Sequence, residues 1–488
     1  MNEKLAADPK RWKALAVLSI AYLMVVLDVS IVNVALPSIQ HDLGFSTEGL
    51  QWVVSGYALT FGGFLLLGGR AGDLLGRRRL FLVGLAAFAL FSLLCGLSTS
   101  PGMLVAMRFA QGAAGAILSP SVFSIVSVTF AEGSERNKAL GILGAIAGAG
   151  AAIGVLAGGV LTEYAGWEWI FFVNVPIGIA TFFLVPLFVR ESRADGLTQH
   201  FDALGAVTVT GSLMLLVYGL TESTSKGWGS WQTIGGLVGF AALMAAFLAV
   251  EMRSRSPLVP LRFFSRRTPT GANIIGLGLG TMIFGMFFLL SLYMQEVLGF
   301  SALRTGVGYL AVALTAVVSA GLSQALVTRV GVKPILTAGL TMIGVALVFF
   351  TQVSVNGSYL GDLLPGFILI GVGMGFSFVP IAIAALGGIE QHEAGLASGL
   401  INTSQQIGGA IGLAILTTVA TTRTTHLLES GQKPPEALTH GFQIAFWVAA
   451  AFALASVVAT LVLLRRDDLK VPDAEELNRA EAEMVSIA

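Results

Sequence analysis

Long apolar runs dominate the chain, and short polar connections separate them. Each run is long enough to cross a hydrocarbon layer of ~30 Å as a helix, which takes about 20 residues. Strands are excluded because they would leave backbone groups unpaired in lipid, and the runs lack the alternation of a membrane barrel. The fourteen predicted spans are 14–35, 48–68, 80–99, 102–130, 138–162, 169–189, 203–222, 232–251, 269–296, 303–328, 333–354, 360–386, 394–421 and 440–464. The pattern therefore predicts an all-α integral membrane protein.

Composition agrees with a lipid environment. Hydrophobic residues make up 55% of the 488 residues and charged residues 11%, whereas soluble domains carry about 25% charged residues. The formal net charge is zero, so no bulk attraction to nucleic acid is expected. The chain has one cysteine, Cys95, which excludes an internal disulfide and a cysteine metal cluster. No metal site or cofactor is expected, and membrane lipid is the expected surrounding.

The basic residues predict the orientation of the spans. The connections on the side of both termini, with the two tails, carry 23 of the 28 lysines and arginines, and the opposite connections carry four. The remaining one, Arg108, lies inside a span. Because basic residues accumulate on the cytoplasmic side, both termini are expected in the cytoplasm of a bacterial cell, with the chain crossing the cytoplasmic membrane many times.

Two polar connections, 190–202 and 252–268, flank the middle pair of spans. The connections after span two and span ten also resemble each other, since each places a glycine beside basic residues. Transporters are commonly built from two such related halves. We therefore predict a 6+2+6 arrangement. Its parts are a six-helix bundle at 1–190, a linker with two extra transmembrane helices at 191–267, a second six-helix bundle at 268–465 and a cytoplasmic tail at 466–488.

Two opposite charges lie inside predicted spans. Asp28 lies about seven residues before the end of span one, and Arg108 about six residues after the start of span four. At 1.5 Å per residue both lie ~10 Å below the same surface, so we expect them to pair. A charge inside a membrane is costly and marks function by default. One interpretation is a pair that only holds two helices together. The other is a proton switch, in which substrate or conformation changes the surroundings of Asp28.

Other polar residues in the spans are candidates for a substrate cavity. Gln111 shares a helix face with Arg108, and three amides of span thirteen lie near one face. The predicted cavity residues are Asn33, Tyr57, Gln111, Asn174, Asn273, Phe376, Asn402, Gln405 and Gln406. The alternative interpretation is that these side chains only form hydrogen bonds or packing contacts between helices. Gly150, Gly154 and Gly158 recur every four residues in span five and predict a groove that admits another backbone.

Four segments resemble motifs of one transporter family. GRAGDLLGRR at 69–78 resembles the loop signature of the major facilitator superfamily. LDVSIVNVALP at 27–37, RFAQG at 108–112 and WEWIFFVNVPIG at 167–178 resemble motifs of its 14-helix drug/proton antiporters. The resemblance covers nearly the whole chain and implies a major-facilitator-type fold of 14 helices.

The resemblance also implies an activity, which is proton-coupled export of hydrophobic or amphipathic small molecules by alternating access, without enzymatic chemistry. Expected partners are a small-molecule substrate and protons, and the expected state is a monomer. The resemblance implies a role in proton coupling for Arg108 and a role in closing the inner side for Asp73, Arg77 and Arg78. Taken with the buried charge and the glycine spacing, the predicted proton-coupling residues are Asp28 and Arg108, and the predicted conformational gate comprises Gly69, Asp73, Gly76, Arg77, Arg78, Gly150, Gly154 and Gly158.

Two positions depart from the family pattern. Val155 follows Gly154 where the antiporter signature has proline, and it restores a backbone N–H. Glu168 stands where the family usually has arginine. Alternative functions therefore stay open. They are a dedicated exporter of one natural product, lipid or siderophore, a facilitator or importer, and a non-transporting membrane sensor or scaffold.

Overall fold

The computed structural model describes residues 10–130, 134–192, 203–254, 257, 264–386 and 394–464, and the regular structure in these ranges is helical. The α-helices are α1 (Arg11–Leu43), α2 (Thr47–Leu75), α3 (Arg77–Gly96), α4 (Pro101–Thr129), α5 (Ser134–Tyr164), α6 (Trp169–Phe172), α7 (Asn174–Phe188), α8 (Ala203–Lys226), α9 (Trp231–Arg253), α10 (Arg267–Leu292), α11 (Ala302–Val330), α12 (Val332–Phe350), α13 (Leu364–Leu386), α14 (Ala394–Glu429) and α15 (Pro434–Leu463). A π-helical turn, Tyr293–Val297, continues α10, and another, Tyr359–Leu363, precedes α13.

Each predicted span coincides with a helix or with two consecutive helical segments, and α6 and α7 together form the sixth. Helix ends differ from the predicted limits. α1 continues past residue 35 to Leu43 and includes the polar residues Gln40 and His41, which lie beyond the apolar run. Hydropathy marks where lipid contacts a helix, not where the helix ends. Within the described residues, eleven helices are long and apolar enough to cross a membrane, and the count of fourteen crossings stays a prediction.

Several helices begin with a serine cap. The first N–H groups of a helix have no partner within it, and a serine oxygen can accept from one of them. Ser46, for example, accepts from the Gly49 N–H at 3.0 Å at the start of α2. The other serines that cap in this way are Ser100 at α4, Ser230 at α9, Ser301 at α11 and Ser358 at the π-turn before α13. These caps let short polar connections end and restart the long helices.

We call the end of the bundle where α1 begins and α15 ends the terminal end, and the other the opposite end. At the terminal end Arg11 pairs with Glu135 of α5 at 2.9 Å, and this hydrogen bonding holds the pKa of Glu135 below its usual value. Lys333 of α12 donates to the Leu461 carbonyl of α15 at 2.6 Å. At the opposite end Gln295 donates to the Val34 carbonyl at 2.9 Å, which joins the first and last groups of helices.

The apolar cores explain how the groups of helices hold together. One core lies within α1–α5 and α7 and includes Phe81, Leu118 and Leu143. A larger core lies among α10–α15 and also takes in Ile31 and Leu50 from the opposite-end parts of α1 and α2. The first six spans and the last six are therefore joined by apolar packing at the opposite end.

The middle pair, α8 and α9, packs against the seam between α2 and α14. Leu213 and Val217 of α8 share a small core with Leu59 of α2 and Ala414 of α14. A buried hydrogen bond of 2.6 Å from Gln51 Nε2 to the Thr221 hydroxyl also ties α2 to α8. α8 thus contacts both groups of six. The division at 191 and 267 stays a prediction.

Candidate functional site

Asp28 lies in the interior of α1 and has no exposed surface. Its Oδ2 accepts from Arg108 Nη1 at 2.6 Å. Its Oδ1 accepts from Gln111 Nε2 at 2.7 Å and from Asn174 Nδ2 at 3.1 Å. One cation and two amides therefore surround the carboxylate, which compensates for its removal from water. The predicted meeting of Asp28 and Arg108 is present in the structure.

Arg108 is held from several directions. Its Nε donates to the Val53 carbonyl of α2 at 2.9 Å, and its Nη1 also donates to Gln111 Oε1 at 2.8 Å. The guanidinium carbon lies 4.4 Å from the ring centroid of Tyr57 and 5.6 Å from that of Phe171. The arginine is 1% exposed. Its planar fork allows these directed contacts at once, which a single ammonium would not reproduce.

A further layer of side chains orients the two amides. The Ser92 hydroxyl donates to the Phe171 carbonyl at 2.8 Å and accepts from Asn174 Nδ2 at 3.0 Å. Cys95 Sγ donates to Gln111 Oε1 at 3.5 Å. We call Asp28, Arg108, Gln111, Asn174, Ser92 and Cys95 the Asp28 network.

Sequence reasoning missed Ser92, Cys95 and the Val53 carbonyl. The available signal was that Ser92 and Cys95, three residues apart, share a face of an otherwise apolar helix. Asn174 reaches the network from the start of α7, directly after Val173, whose backbone is also in the helical region.

Tyr57, Gln111 and Asn174, predicted to line a substrate cavity, all lie against Asp28 or Arg108. The other predicted cavity residues lie elsewhere. Asn33 donates to the Val29 carbonyl of its own helix at 3.2 Å, and the exposed Asn402 donates to Ser398 in the same way at 2.9 Å. Intrahelical bonds of this kind leave the amide oxygen available.

The remaining candidates lie in the second group of helices or at its contacts. Asn273 Oδ1 accepts from Ser404 at 2.8 Å, which joins α10 to α14. Gln405 and Gln406 are partly exposed on α14, and Gln406 packs against Gly62 of α2. The backbone of Phe376 contacts Gly339 of α12. Among the described residues, no hydrogen bond connects this set to the Asp28 network.

The predicted gate loop contacts the end of α7. Gly76 has φ +113, a conformation that favours glycine, and it forms the turn between α2 and α3. Arg77 Nε donates to the Ser124 hydroxyl at 2.6 Å, and Arg78 Nη1 donates to the Val189 carbonyl at 3.2 Å. Gly69 lies beside Pro120 of α4.

The acidic residue predicted in this gate loop is Asp73. The Asp73 side chain lies outside the described residues. Glu191, which the sequence reasoning did not single out, accepts from the N–H groups of Arg78 and Arg79 at 3.1 and 3.0 Å. A carboxylate at the start of α3 complements the partial positive charge of the helix N-terminus.

The three spaced glycines of α5 receive α1. A Cβ added at Gly150 would lie 2.8 Å from Val26, one at Gly158 would lie 2.6 Å from the Ile31 carbonyl, and one at Gly154 would collide with the Ser30 hydroxyl. The groove predicted from the spacing therefore holds the helix that carries Asp28.

A cavity of about 650 Å³ opens at the opposite end between the two groups of helices. It is lined by Asp42, Glu163, Glu168 and Glu296, among other residues, and Trp167 Nε1 donates to Asp42 at 2.9 Å beside it. Asp28 and Arg108 are not part of this lining. Glu168, which stands where the family usually has arginine, thus adds an acidic side chain to the lining of this cavity.

Comparisons with known proteins agree with this architecture. The Major Facilitator Superfamily model matches residues 18–413. The chain is 39% identical to a puromycin resistance protein of Streptomyces alboniger, covering 93% of this chain and 91% of the relative. It is 40% identical to a cephamycin export protein of Amycolatopsis lactamdurans, covering 92% of each. A bacterial homolog of the human lysosomal transporter Spinster, solved in an inward-facing unoccupied conformation, matches with a TM-score of 0.69 at 14% identity, covering 96% of this chain and 100% of that one.

Proposed function

The chain belongs to the major facilitator superfamily, and on that premise we propose that it exports hydrophobic or amphipathic antibiotic-like molecules in exchange for protons. Export is supported by the relatives, several of which are named for resistance to, or export of, antibiotics: puromycin, cephamycin, tetracenomycin and lincomycin. Coverage above nine tenths of both the puromycin and the cephamycin relatives makes a shared activity of the whole chain the simplest interpretation.

The observation that carries the proposal of proton coupling is the buried ion pair of Asp28 and Arg108. Both side chains lie in helix interiors and are at most 1% exposed. Burying a carboxylate inside a membrane costs free energy, and a residue that is kept there in spite of this cost marks a functional site by default. In our proposal Asp28 takes up a proton when the pair is loosened and releases it when Arg108 re-forms the contact. Uphill export would then draw on the proton gradient.

Alternating access follows from the same arrangement. The two groups of helices are packed together at the opposite end, and we propose that this conformation takes substrate from the terminal end, which faces the cytoplasm. Substrate would bind between the groups, with Asn33, Asn273, Phe376, Asn402, Gln405 and Gln406 as lining candidates. The loop that carries Gly69, Asp73, Gly76, Arg77 and Arg78 would close the terminal end. We further propose that a monomer is the working unit.

A second candidate is a dedicated exporter of one natural product. Relatives such as the cephamycin export protein and the tetracenomycin C resistance and export protein are named for single compounds, whereas another, from Mycobacterium tuberculosis, is named a multidrug resistance protein. A panel of structurally unrelated toxic compounds separates the two candidates. Protection against one compound class alone favours the dedicated exporter, and protection across classes favours a multidrug exporter.

The test of proton coupling is the Asp28→Asn variant in everted membrane vesicles. Asparagine keeps the size of the side chain and loses the titratable charge. We expect puromycin or another active compound to dissipate an imposed pH gradient with the wild-type protein and not with the variant. The control is the amount of folded variant, measured by size-exclusion chromatography in detergent. Full gradient dissipation by a well-folded variant would refute the assignment of Asp28.

A further inference from the structure

Two aromatic rings face the guanidinium group of Arg108. The Tyr57 centroid lies 4.4 Å and the Phe171 centroid 5.6 Å from its central carbon. Tyr57 belongs to α2 and Phe171 to α6, and both rings are buried at 2% and 0% exposure. A cation over an aromatic face is attracted by the ring quadrupole, and the attraction grows when water is excluded. We call this pair of rings the aromatic cradle.

We propose that Tyr57 and Phe171 are positioning residues that hold the Arg108 cation in place while Asp28 carries a proton. The inference rests on the proposed function, because it concerns how the same ion pair is opened and closed. Its consequence is that the aromatic cradle sets the pH at which Asp28 becomes protonated.

Arg108 has different partners in the two protonation states of Asp28. With Asp28 ionised, the guanidinium is compensated by the carboxylate at 2.6 Å. With Asp28 protonated, that compensation is lost, and the cation keeps the Val53 carbonyl, Gln111 Oε1 and the two rings. A buried cation without compensation is expensive. When Asp28 is ionised the rings face a net neutral ion pair, and when it is protonated they face a net cation. Because the ring faces attract positive charge, they stabilise the protonated state more than the ionised state.

The hydroxyl group of Tyr57 is not what fixes the ring. It is buried and has no hydrogen-bond partner among the described residues. Room for it exists because Gly115 lacks a Cβ, and a Cβ added there would lie 3.0 Å from the hydroxyl. Stacking on Phe61, with ring centroids 5.7 Å apart, holds the other face. The aromatic face is thus the part of Tyr57 that Arg108 uses.

The titratable groups around Arg108 come from three neighbouring helices. They are Asp28 of α1, Tyr57 of α2 and Cys95 of α3. From α7 the neutral amide of Asn174 faces Asp28, and α6 contributes Phe171, which does not titrate. Since Asp28 is the one carboxyl in this set, its titration can be followed separately from the others.

The experiment measures protonation of Asp28 directly in the purified full-length protein. The carboxyl stretching band is followed against pH by infrared difference spectroscopy, and the band of Asp28 is the one that disappears in Asp28→Asn. Removing the nearer ring in Tyr57→Leu should move the midpoint of that band to lower pH by about one unit. Phe171→Leu should move it in the same direction by less, and Tyr57→Phe should leave it unchanged.

One control variant and two possible results test whether the rings act on Asp28 through Arg108. Phe88→Leu removes a fully buried ring of α3. Among the described residues, the rings that face Arg108 are those of Tyr57 and Phe171, so this change should not move the midpoint. An unchanged midpoint in both Tyr57→Leu and Phe171→Leu overturns the proposal. So does an equal shift in Tyr57→Phe, because the hydroxyl would then be responsible. If Tyr57→Leu fails to fold, Phe171→Leu alone decides.

The readout also separates this inference from the proposed function. A ring-dependent midpoint together with unimpaired export by Asp28→Asn in vesicles would retain the aromatic cradle and refute proton coupling through Asp28. Loss of export in Asp28→Asn without any effect of the rings would do the reverse.

Discussion

At the scale of single residues, the Asp28 network depends on the shape of Arg108 as much as on its charge. Its Nε reaches the Val53 carbonyl while Nη1 reaches both Asp28 and Gln111. These acceptors lie on α2, α1 and α4, so one side chain ties three helices together. Lysine carries the same charge on a flexible stem and lacks the planar fork.

Arg108→Lys therefore should keep the charge and lose the function. The ammonium can still pair with Asp28, but the contacts to Val53 and Gln111 are not made together. An interhelical hydrogen bond in a membrane protein contributes roughly 0.6–2 kcal/mol, and a loss of about 1.4 kcal/mol from the rate-limiting state slows a process about tenfold. We therefore expect initial export rates to fall by about that factor. The measurement is the efflux rate, from loaded cells at matched expression, of a compound that the wild-type protein is found to export. Wild-type rates in Arg108→Lys would mean that charge alone suffices.

The ion pair was predictable from the sequence, whereas its surroundings were not. Depth along two antiparallel spans places Asp28 beside Arg108, because rise per residue is fixed in a helix. Depth carries no information about rotation around the helix axis. Asn174 was therefore predicted to face a cavity, whereas in the structure its amide donates to Asp28. Backbone acceptors such as Val53 have no signature in the side-chain sequence.

At the scale of helices, the packing of α1 against α5 fixes where Asp28 stands. Gly154 of α5 meets Ser30 of α1, two residues after Asp28, and a Cβ added at Gly154 would also lie 3.2 Å from the Leu27 carbonyl. The Ser30 hydroxyl itself donates to the Leu27 carbonyl at 3.1 Å. The glycine spacing predicted this groove because small residues allow backbones to approach closely.

Gly154→Ala should lower the free energy of unfolding by about 1–3 kcal/mol, since it overfills a packed contact. The companion change Ser30→Ala removes the hydroxyl that the new methyl group would meet, so the double variant should recover at least part of the loss. Gly235→Ala in α9 is the matched control, because a Cβ there meets nothing within 4 Å. Denaturant unfolding in detergent micelles measures the wild-type protein and the four variants. Equal losses in the single and double variants would show that Ser30 is not the obstacle.

At the scale of the whole molecule, the two groups of helices are in close contact with each other at the opposite end. Gly306 of α11 faces α5 so closely that a Cβ there would lie 2.5 Å from the Val155 carbonyl. Gly159 of α5 meets the Ala302 carbonyl in the same seam, where a Cβ would lie 2.9 Å away. Val155, which replaces the family's proline, therefore contributes its backbone to the closure between the two groups of helices.

The overall plan was predictable because it follows from physics that acts along the chain. Apolar runs predict the helices, which the structure contains, while the orientation that the basic residues indicate stays a prediction. The position of the middle pair was not predictable. Gln51 and Thr221 are far apart in the sequence, and their hydrogen bond across α2 and α8 depends on packing that no local pattern records.

The close contact of α5 and α11 at the opposite end can be tested at Gly306, with Gly321 of the same helix as the control. Gly306→Leu should hold α5 and α11 apart, because helices packed through side chains stand about 8–10 Å apart. Spin labels on cysteines introduced at Tyr164 and Leu360, which are 76% and 73% exposed at the opposite end of different groups of helices, report the separation. The native Cys95 is buried and needs no replacement. The labels should move apart by a few ångströms in Gly306→Leu, and efflux should fall because the cycle no longer returns to this state.

Gly321→Leu lies on the same helix, where a Cβ meets nothing within 4 Å, and it should leave both distance and efflux unchanged. An unaltered distance in Gly306→Leu, or an equal change in Gly321→Leu, would mean that this seam does not govern closure.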